Sequence, residues 1–313
     1  MIELRNVTKR FETVQAVGGI SFTAEEGQIF GLLGPNGAGK STTIRMIMNI
    51  LAPDTGEILF SGRPIREEDK DRIGYLPEER GLYKKVKVGD MLAYFGALKG
   101  AEPARIRENI EYWLRKFDMT EWKDRKIMEL SKGMGQKIQF IASIVHDPTY
   151  IFFDEPFSGL DPVSSDLLRQ TIQELGERGK TILFSTHIME QAEKICSKIL
   201  LMNKGKEVIS GTMESVKDRY GTRSVVIEFD GDGGFISGLP FVKHCITYPR
   251  YMEVELADDE SPDRLLAALV NRISIRRFEI MSPSLHKIFI DLVRPGTAGG
   301  GETNGNDTTG GAE

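Results

Sequence analysis

An α/β fold followed by a smaller α+β unit is what the sequence predicts, on three observations. Strand and helix patterns alternate after residue 149, a glycine-rich turn at 34–41 joins an apolar strand to a helix, and the pattern changes character beyond Tyr220-Gly221. Such alternation implies a largely parallel sheet covered by helices. Sheets of that kind bind ligands at the carboxyl ends of their strands. The 313 residues leave room for two domains. With 40% apolar and 28% charged residues and a net charge of −5, the composition is that of a folded globular chain, and its acidic balance argues against nucleic acid as the main partner.

The elements follow in order. Ile2, Leu4 and Val7 alternate as a strand, as do Ile20, Phe22 and Ala24; after the turn Glu25-Glu26-Gly27 comes the apolar strand Ile29 to Leu33. From Ser41 the spacing of Ile44, Ile47, Met48 and Leu51 predicts a helix, ended by Pro53-Asp54-Thr55-Gly56 ahead of a strand from Glu57 to Phe60. Residues 89–146 read as mostly helical, with Ile106, Ile110, Trp113, Leu114 and Phe117 as a packing face. Then come a strand from Tyr150 to Phe153, a helix opened by Asp161-Pro162, a strand from Thr181 to Ser185, a helix through Ile195 and a strand from Ile199 to Met202. The second unit reads as strands Ser224 to Phe229 and Tyr251 to Leu256, helix Pro262 to Val270, strand Ile273 to Ile280 and helix Pro283 to Val293. Domains are therefore expected at 1–215 and 222–293, with a Gly- and Thr-rich tail, 295–313, expected to be disordered.

No apolar run approaches the ~18 residues a membrane span needs, and Met1 leads into a strand pattern instead of a signal sequence, so a cytoplasmic location is expected. Cys196 and Cys245 are the only cysteines, with no C-x-x-C spacing, which leaves a disulfide framework and a thiolate zinc site unsupported.

Chemistry concentrates in three segments. Gly34-Pro35-Asn36-Gly37-Ala38-Gly39-Lys40-Ser41 fits G-x-x-x-x-G-K-[ST] between a strand and a helix, the context that makes it a phosphate-binding loop. Its backbone N–H groups and the helix N-terminus cradle phosphates, Lys40 faces the β- and γ-phosphates, and Ser41 can ligate Mg²⁺. Thr42 belongs to the same nucleotide-binding turn. Tyr150-Ile151-Phe152-Phe153-Asp154-Glu155 is an apolar strand ending in two carboxylates: Asp154 is the expected Mg²⁺ partner and Glu155 the expected general base for water attacking the γ-phosphate. Leu130-Ser131-Lys132-Gly133-Met134 opens a helix with Ile138, Ile141 and Val145 on one face; Ser131 is a good N-cap, and the capped start is either a cap alone or a second anion site.

These segments, taken in order with Ser158-Gly159-Leu160-Asp161 and His187, resemble the ATP-binding subunit of ABC transporters over residues 1–215. The resemblance implies a nucleotide-binding domain of mixed sheet core, antiparallel β subdomain and helical subdomain, with ATP and Mg²⁺ as cofactors. It also implies that two such domains pair head to tail, so that Ser131 and Gly133 touch the γ-phosphate held by the other domain. Carried over by position, Phe11 stacks on adenine, Asp161 belongs to the D-loop and His187 is the switch histidine that senses γ-phosphate. Two departures stand out. Glu78 occupies the Q-loop position usually held by glutamine, where it still offers an oxygen to Mg²⁺, and the signature L-S-G-G-Q reads Leu-Ser-Lys-Gly-Met, with Lys132 either beside the trans phosphate or on solvent.

Leu76-Pro77-Glu78-Glu79-Arg80-Gly81-Leu82-Tyr83 and Ser282-Pro283-Ser284-Leu285-His286-Lys287-Ile288-Phe289 look like the prokaryotic sodium-extrusion and drug-export branch of that family. The reading is an ATPase that drives an exporter, peripheral on the inner face of the plasma membrane, with a separately encoded permease and a second copy of itself or a homologous ATPase as partners and no nucleic acid. The alternative is a soluble ABC ATPase acting on nucleic acid or the ribosome, which usually carries tandem domains or a long coiled-coil insertion. A metabolic kinase would leave the signature segment and His187 without a task.

Overall fold

A computed structural model describes residues 1–79, 81–220, 224–249, 251–257, 260–281 and 284–293. The expected disordered tail lies outside the described residues.

Strands β1 (Ile2–Phe11), β2 (Val14–Ala24) and β4 (Thr55–Phe60) form an antiparallel sheet in the order β2-β1-β4. Ile2 pairs with Ala24, Leu4 with Phe22 and Val7 with Ile20, so the alternation read from the sequence becomes one buried face. The central sheet runs β5 (Ile73–Leu76), β6 (Tyr150–Asp154), β7 (Thr181–Thr186), β3 (Ile29–Leu33), β8 (Lys198–Asn203), β9 (Lys206–Thr212). All pairs are parallel except β8–β9. Every residue of β6 and β7 is buried, as covering on both faces requires. Two strands have no clear trace in the sequence. β5 is four residues long with a glycine inside it, and β9 is a polar edge strand with only Ile209 buried.

Helix α1 (Lys40–Ile47) is shorter than its apolar spacing predicts. Asn49 turns into the left-handed region, and the Ile50 and Leu51 amides both fold back onto the Arg45 carbonyl, which closes the helix four residues before Leu51. The helical unit consists of α2 (Val88–Leu98), α3 (Pro103–Lys116) and α4 (Lys132–Ile144). Next to the sheet lie α5 (Pro162–Glu177), capped by Asp161, α6 (Met189–Ile195) and α7 (Met213–Tyr220).

Beyond residue 223, β10 (Ser224–Asp230), β11 (Val242–Thr247), β12 (Met252–Leu256) and β13 (Ser274–Met281) form an antiparallel sheet in the order β11-β12-β10-β13. Helix α8 (Pro262–Leu269) closes a separate small core of Val225, Ile227, Val254, Leu265 and Leu269. Strand β11 escapes the sequence reading because no residue of it is fully buried, so it shows no alternation. Helix α9 (Leu285–Val293), at the end of the second unit, packs back against the first. Its Leu285 and Ile288 are buried in the large core of the first unit, and the Glu193 carboxylate of α6 accepts the Leu285 N–H while lying 3.7 Å from Lys217 of α7.

Helix α4 lies along β5. His146, just past its end, has Nε2 3.1 Å from the Ile73 carbonyl, so Nε2 carries the proton and donates. Burial pushes its pKa down to about 4; the Ile73 hydrogen bond and Asp147 oppose that shift, and Lys99 and Lys180 add to it. The unfolded chain then binds more protons than the folded one between about pH 4 and the ordinary histidine value of about 6.5, so stability present above that window is lost as pH falls through it, by up to about 3 kcal/mol. Thermal melts from pH 7 to pH 4.5 should show this decline, and His146→Gln, which keeps a donor but has no proton to gain, should flatten it.

Candidate active site

The loop after β3 is built on backbone that only glycine tolerates. Gly34 has φ 147° and a Cβ there would stand 2.2 Å from the Met202 carbonyl; Gly39 has φ 103° and its Cβ would stand 2.3 Å from the Ala16 carbonyl. The chain thus enters α1 with the first amide groups of the helix unpaired and facing outward, a site for anions. Lys40, the first residue of α1, is 5% exposed; its Nζ donates to the carbonyls of Gly34 at 2.8 Å and Pro35 at 3.2 Å and lies 3.2 Å from Glu155 Oε1.

The carboxylates come from the end of β6, beside β7 and opposite α1. Ser41 Oγ donates to Asp154 Oδ1 at 3.0 Å, and Ser185 Oγ donates to the same oxygen at 2.5 Å. Asp154 Oδ2 is buried without any protein partner. A buried acceptor left unpaired costs about 1–3 kcal/mol, and at a site of this kind it marks where another group belongs. A divalent cation fits, with the Ser41 hydroxyl and Asp154 as hard oxygen donors. Among the described residues no cluster of three or more His, Cys, Asp or Glu could hold a metal alone, so phosphate oxygens would complete its shell.

Glu155 sits in the left-handed region at φ 51°, a conformation that costs on the order of 1 kcal/mol or more in a non-glycine residue. Its N–H is held by both the carbonyl and the hydroxyl of Ser185, each at 3.2 Å. That turn buries the carboxylate and splits its environment. Oε2 lies 3.0 Å from His187 Nδ1, whereas Oε1 lies 3.2 Å from the Lys40 ammonium and has no hydrogen bond among the described residues.

Two cavities meet at these residues. One, of about 410 Å³, is lined by Phe11, Val14 and Ala16, by residues 36–42, and by Glu78 and Glu155. It combines an exposed aromatic face with the anion-binding loop. The other, of about 360 Å³, shares Glu78 and Glu155 and adds Asp154, Glu79, Lys132, Gln136, Gln139 and Ser158. Of the residues singled out from the sequence, Phe11, Asn36, Gly37, Ala38, Gly39, Lys40, Ser41, Thr42, Glu78 and Glu155 share the first cavity, Gly34 and Pro35 hold Lys40, and Asp154 and His187 contact the cluster directly. Ser131, Gly133 and Asp161 line neither cavity. Ser131 caps α4 through Met134 N at 3.3 Å. Asp161 caps α5 through Ser164 N at 2.9 Å, and the Ser164 hydrogen bonds lower its pKa. Lys132 is exposed, but its Cε lies against Gly159, where a Cβ would meet it at 3.2 Å, and it lines the second cavity, so it does not simply point to solvent.

Three residues that support the site carry no clear signal in the sequence. Ser185 ends an apolar strand and looks like a strand terminus; only the pairing of β6 with β7 puts it against Asp154 and Glu155. Gln136 and Gln139 stand on the polar side of a helix read for its apolar face, although their spacing from Ser143 and His146 is a helical signal in its own right.

Comparison with known proteins places this geometry among relatives. The family described as "ABC transporter" matches residues 17–158, and "ATP-binding protein DrrA1-3-like, C-terminal domain" matches residues 211–293. The ABC transporter ATP-binding protein YhaQ of Bacillus subtilis is 41% identical over 293 residues, covering 94% of this chain and 98% of its own. Nod factor export ATP-binding protein I of Rhizobium sp. is 32% identical over 296 residues, covering 93% and 96%. A solved ATP-binding subunit of an ABC transporter superposes with a TM-score of 0.66 at 27% identity, covering 70% of this chain and 93% of that one.

Ser185→Ala removes the hydroxyl shared by Asp154 and the Glu155 amide. Hydrogen bonds to charged groups contribute about 1.5–3 kcal/mol, so steady-state nucleotide turnover should fall about 10- to 100-fold, with the melting temperature lowered by only a few degrees.

Proposed function

As a member of the ABC transporter ATP-binding protein family, this chain is an ATPase, and from that premise we propose that it powers a membrane exporter by ATP-driven head-to-tail pairing. The observation that carries the reading is the convergence of Lys40, Ser41, Asp154 and Glu155 on one cavity reached by Phe11. Phe11, 45% exposed, offers its face to the adenine ring. The α1 amides and Lys40 take the phosphates, Lys40 exchanging the Gly34 and Pro35 carbonyls for phosphate oxygens. Ser41 and Asp154, with Glu78 beside them, would hold Mg²⁺, which would supply positive charge to offset that of the β- and γ-phosphates. Once Lys40 turns to phosphate, Glu155 Oε1 is free to orient water and accept its proton, while His187 fixes Oε2.

Transport itself belongs to another chain. Among the described residues no helix is long and apolar enough to cross a membrane. A groove of about 340 Å³ lined by Ile73, Tyr75, Pro77, Leu82, Phe95 and Leu98 is mostly apolar and opens beside the Glu78 loop, which suits the docking of a permease helix on the inner face of the membrane. The Nod factor relative's name supports the export direction. We assign ATP handling to residues 1–215 and an accessory role to 222–293, with α9 as the strap between them.

The paired reading is supported by a second capped helix start, at α4, whose Ser131 and Gly133 line neither of the two cavities. Ser131 and Gly133 serve the ATP of a second copy or a homologous domain, and Asp161 belongs to the same contact.

Lys40→Ala should weaken ATP binding in a fluorescent-nucleotide titration, whereas Glu155→Gln should bind ATP normally and lose turnover by about 10²- to 10⁴-fold. Near wild-type hydrolysis by Glu155→Gln would remove the general base from that residue. In light scattering the same variant should run as a dimer with saturating Mg-ATP and a monomer without it; a chain that stays monomeric would count against the paired arrangement.

A further inference from the structure

The polar residues of α4 and its C-terminal end form a file that is buried at Gln136, Gln139 and Ser143 and half-buried at His146. Gln136, Gln139, Ser143 and His146 are spaced three, four and three residues apart, which puts them on one helical face. That face follows β5 and the loops beyond it in order. His146 bonds the Ile73 carbonyl, Gly74 packs so closely on Ser143 that a Cβ would stand 2.2 Å from the Ser143 carbonyl, Gln139 reaches the loop after β5, and Gln136 reaches the turn after β6. The first two contacts set the helix in register against the strand. The last two reach loops that carry nucleotide-facing carboxylates.

Gln139, 7% exposed, donates through Nε2 to the carbonyls of Glu79 at 3.1 Å and Pro77 at 3.4 Å, one on each side of Glu78. It also lines both the Glu155 cavity and the apolar groove, as Pro77 does, so these two residues are a wall common to both. Gln136, 8% exposed, donates to the carbonyl of Pro156, the residue after Glu155, at 3.1 Å. Its Oε1 is buried without a partner among the described residues, and the side chain belongs to the wall of the cavity that holds Glu155. Both side chains grip main-chain carbonyls, so they register where the loops stand regardless of the side chains these loops carry. At the other end of the same short helix stand Ser131 and Gly133.

We propose that Gln136 and Gln139 are positioning residues that pass the state of the chain's own nucleotide site to the signature end of α4. A shift of the Glu78 loop or the Glu155–Pro156 turn on filling of the site pulls on α4 at two points, and a rigid helix delivers the displacement to Ser131 and Gly133. The inference rests on the head-to-tail reading, in which that end serves the neighbouring ATP.

The test uses the full chain with Gln136→Met and Gln139→Met, which keep side-chain length and lose the donor. In a Glu155→Gln background each should bind fluorescent ATP within about twofold of the parent, while the ATP concentration needed for half-maximal dimer in light scattering rises about tenfold. A role in folding alone would move the melting temperature and nucleotide affinity together and leave no such split. Unchanged dimer midpoints in both variants overturn the proposal. If the Glu155→Gln parent itself stays monomeric, the paired arrangement has failed, and hydrogen exchange decides this inference by itself. ATP should then change the exchange of residues 131–135 in the parent monomer, and the methionine variants should lose that change. The same ATP response in parent and variants overturns the proposal, as does no response in the parent. Alanine at each position gives a second pair of variants should a methionine disturb folding.

Discussion

A buried ammonium facing a buried carboxylate, Lys40 against Glu155 at 3.2 Å, is the constraint on which the rest of this structure depends. Both groups are almost wholly withdrawn from water, and a charge in that position is tolerated only where opposite charge and hydrogen bonds surround it. The Gly34 and Pro35 carbonyls around the ammonium and the His187 ring beside the carboxylate supply that surrounding. Removing either charged partner would leave the other stranded. A phosphate at the α1 N-terminus would compete with Glu155 for the Lys40 ammonium.

The sheet order makes this possible. β3 lies beside β7, and β7 beside β6, so the phosphate loop, Ser185 and the two carboxylates leave the carboxyl edge of the sheet as near neighbours although they are far apart in sequence. Burial of β6 and β7 on both faces fixes where those strands end. A strained Glu155 backbone is held there by two hydrogen bonds from its amide, which is how a rigid sheet supports an unfavourable φ.

Helix α4 ties the helical unit to that edge. Its apolar side packs in the large core while its polar file follows β5, and Gly74 lets the two backbones approach more closely than any side chain would allow. At the other end of the chain, Glu193 joins α6, α7 and the start of α9. The segment after β13 is thereby held against the first unit.

The sequence by itself determined the parts governed by local physics. Gly34, Gly39, Lys40 and Ser41 declare a phosphate loop because their spacing forces one backbone path; the run from Tyr150 to Phe153 declares a doubly covered strand; Ser131 and Asp161 declare helix starts through capping. Strands β5, β9 and β11 were not legible, since an edge strand that buries little carries no alternation, and α1 ended early because loop amides behind it turned back onto Arg45. Ser185, Gln136 and Gln139 were invisible as site residues for a different reason. A hydroxyl at a strand end or an amide on a helix has no assigned partner until distant segments are packed beside it, and only the tertiary structure decided that these partners would be Asp154, Pro156 and the carbonyls flanking Glu78.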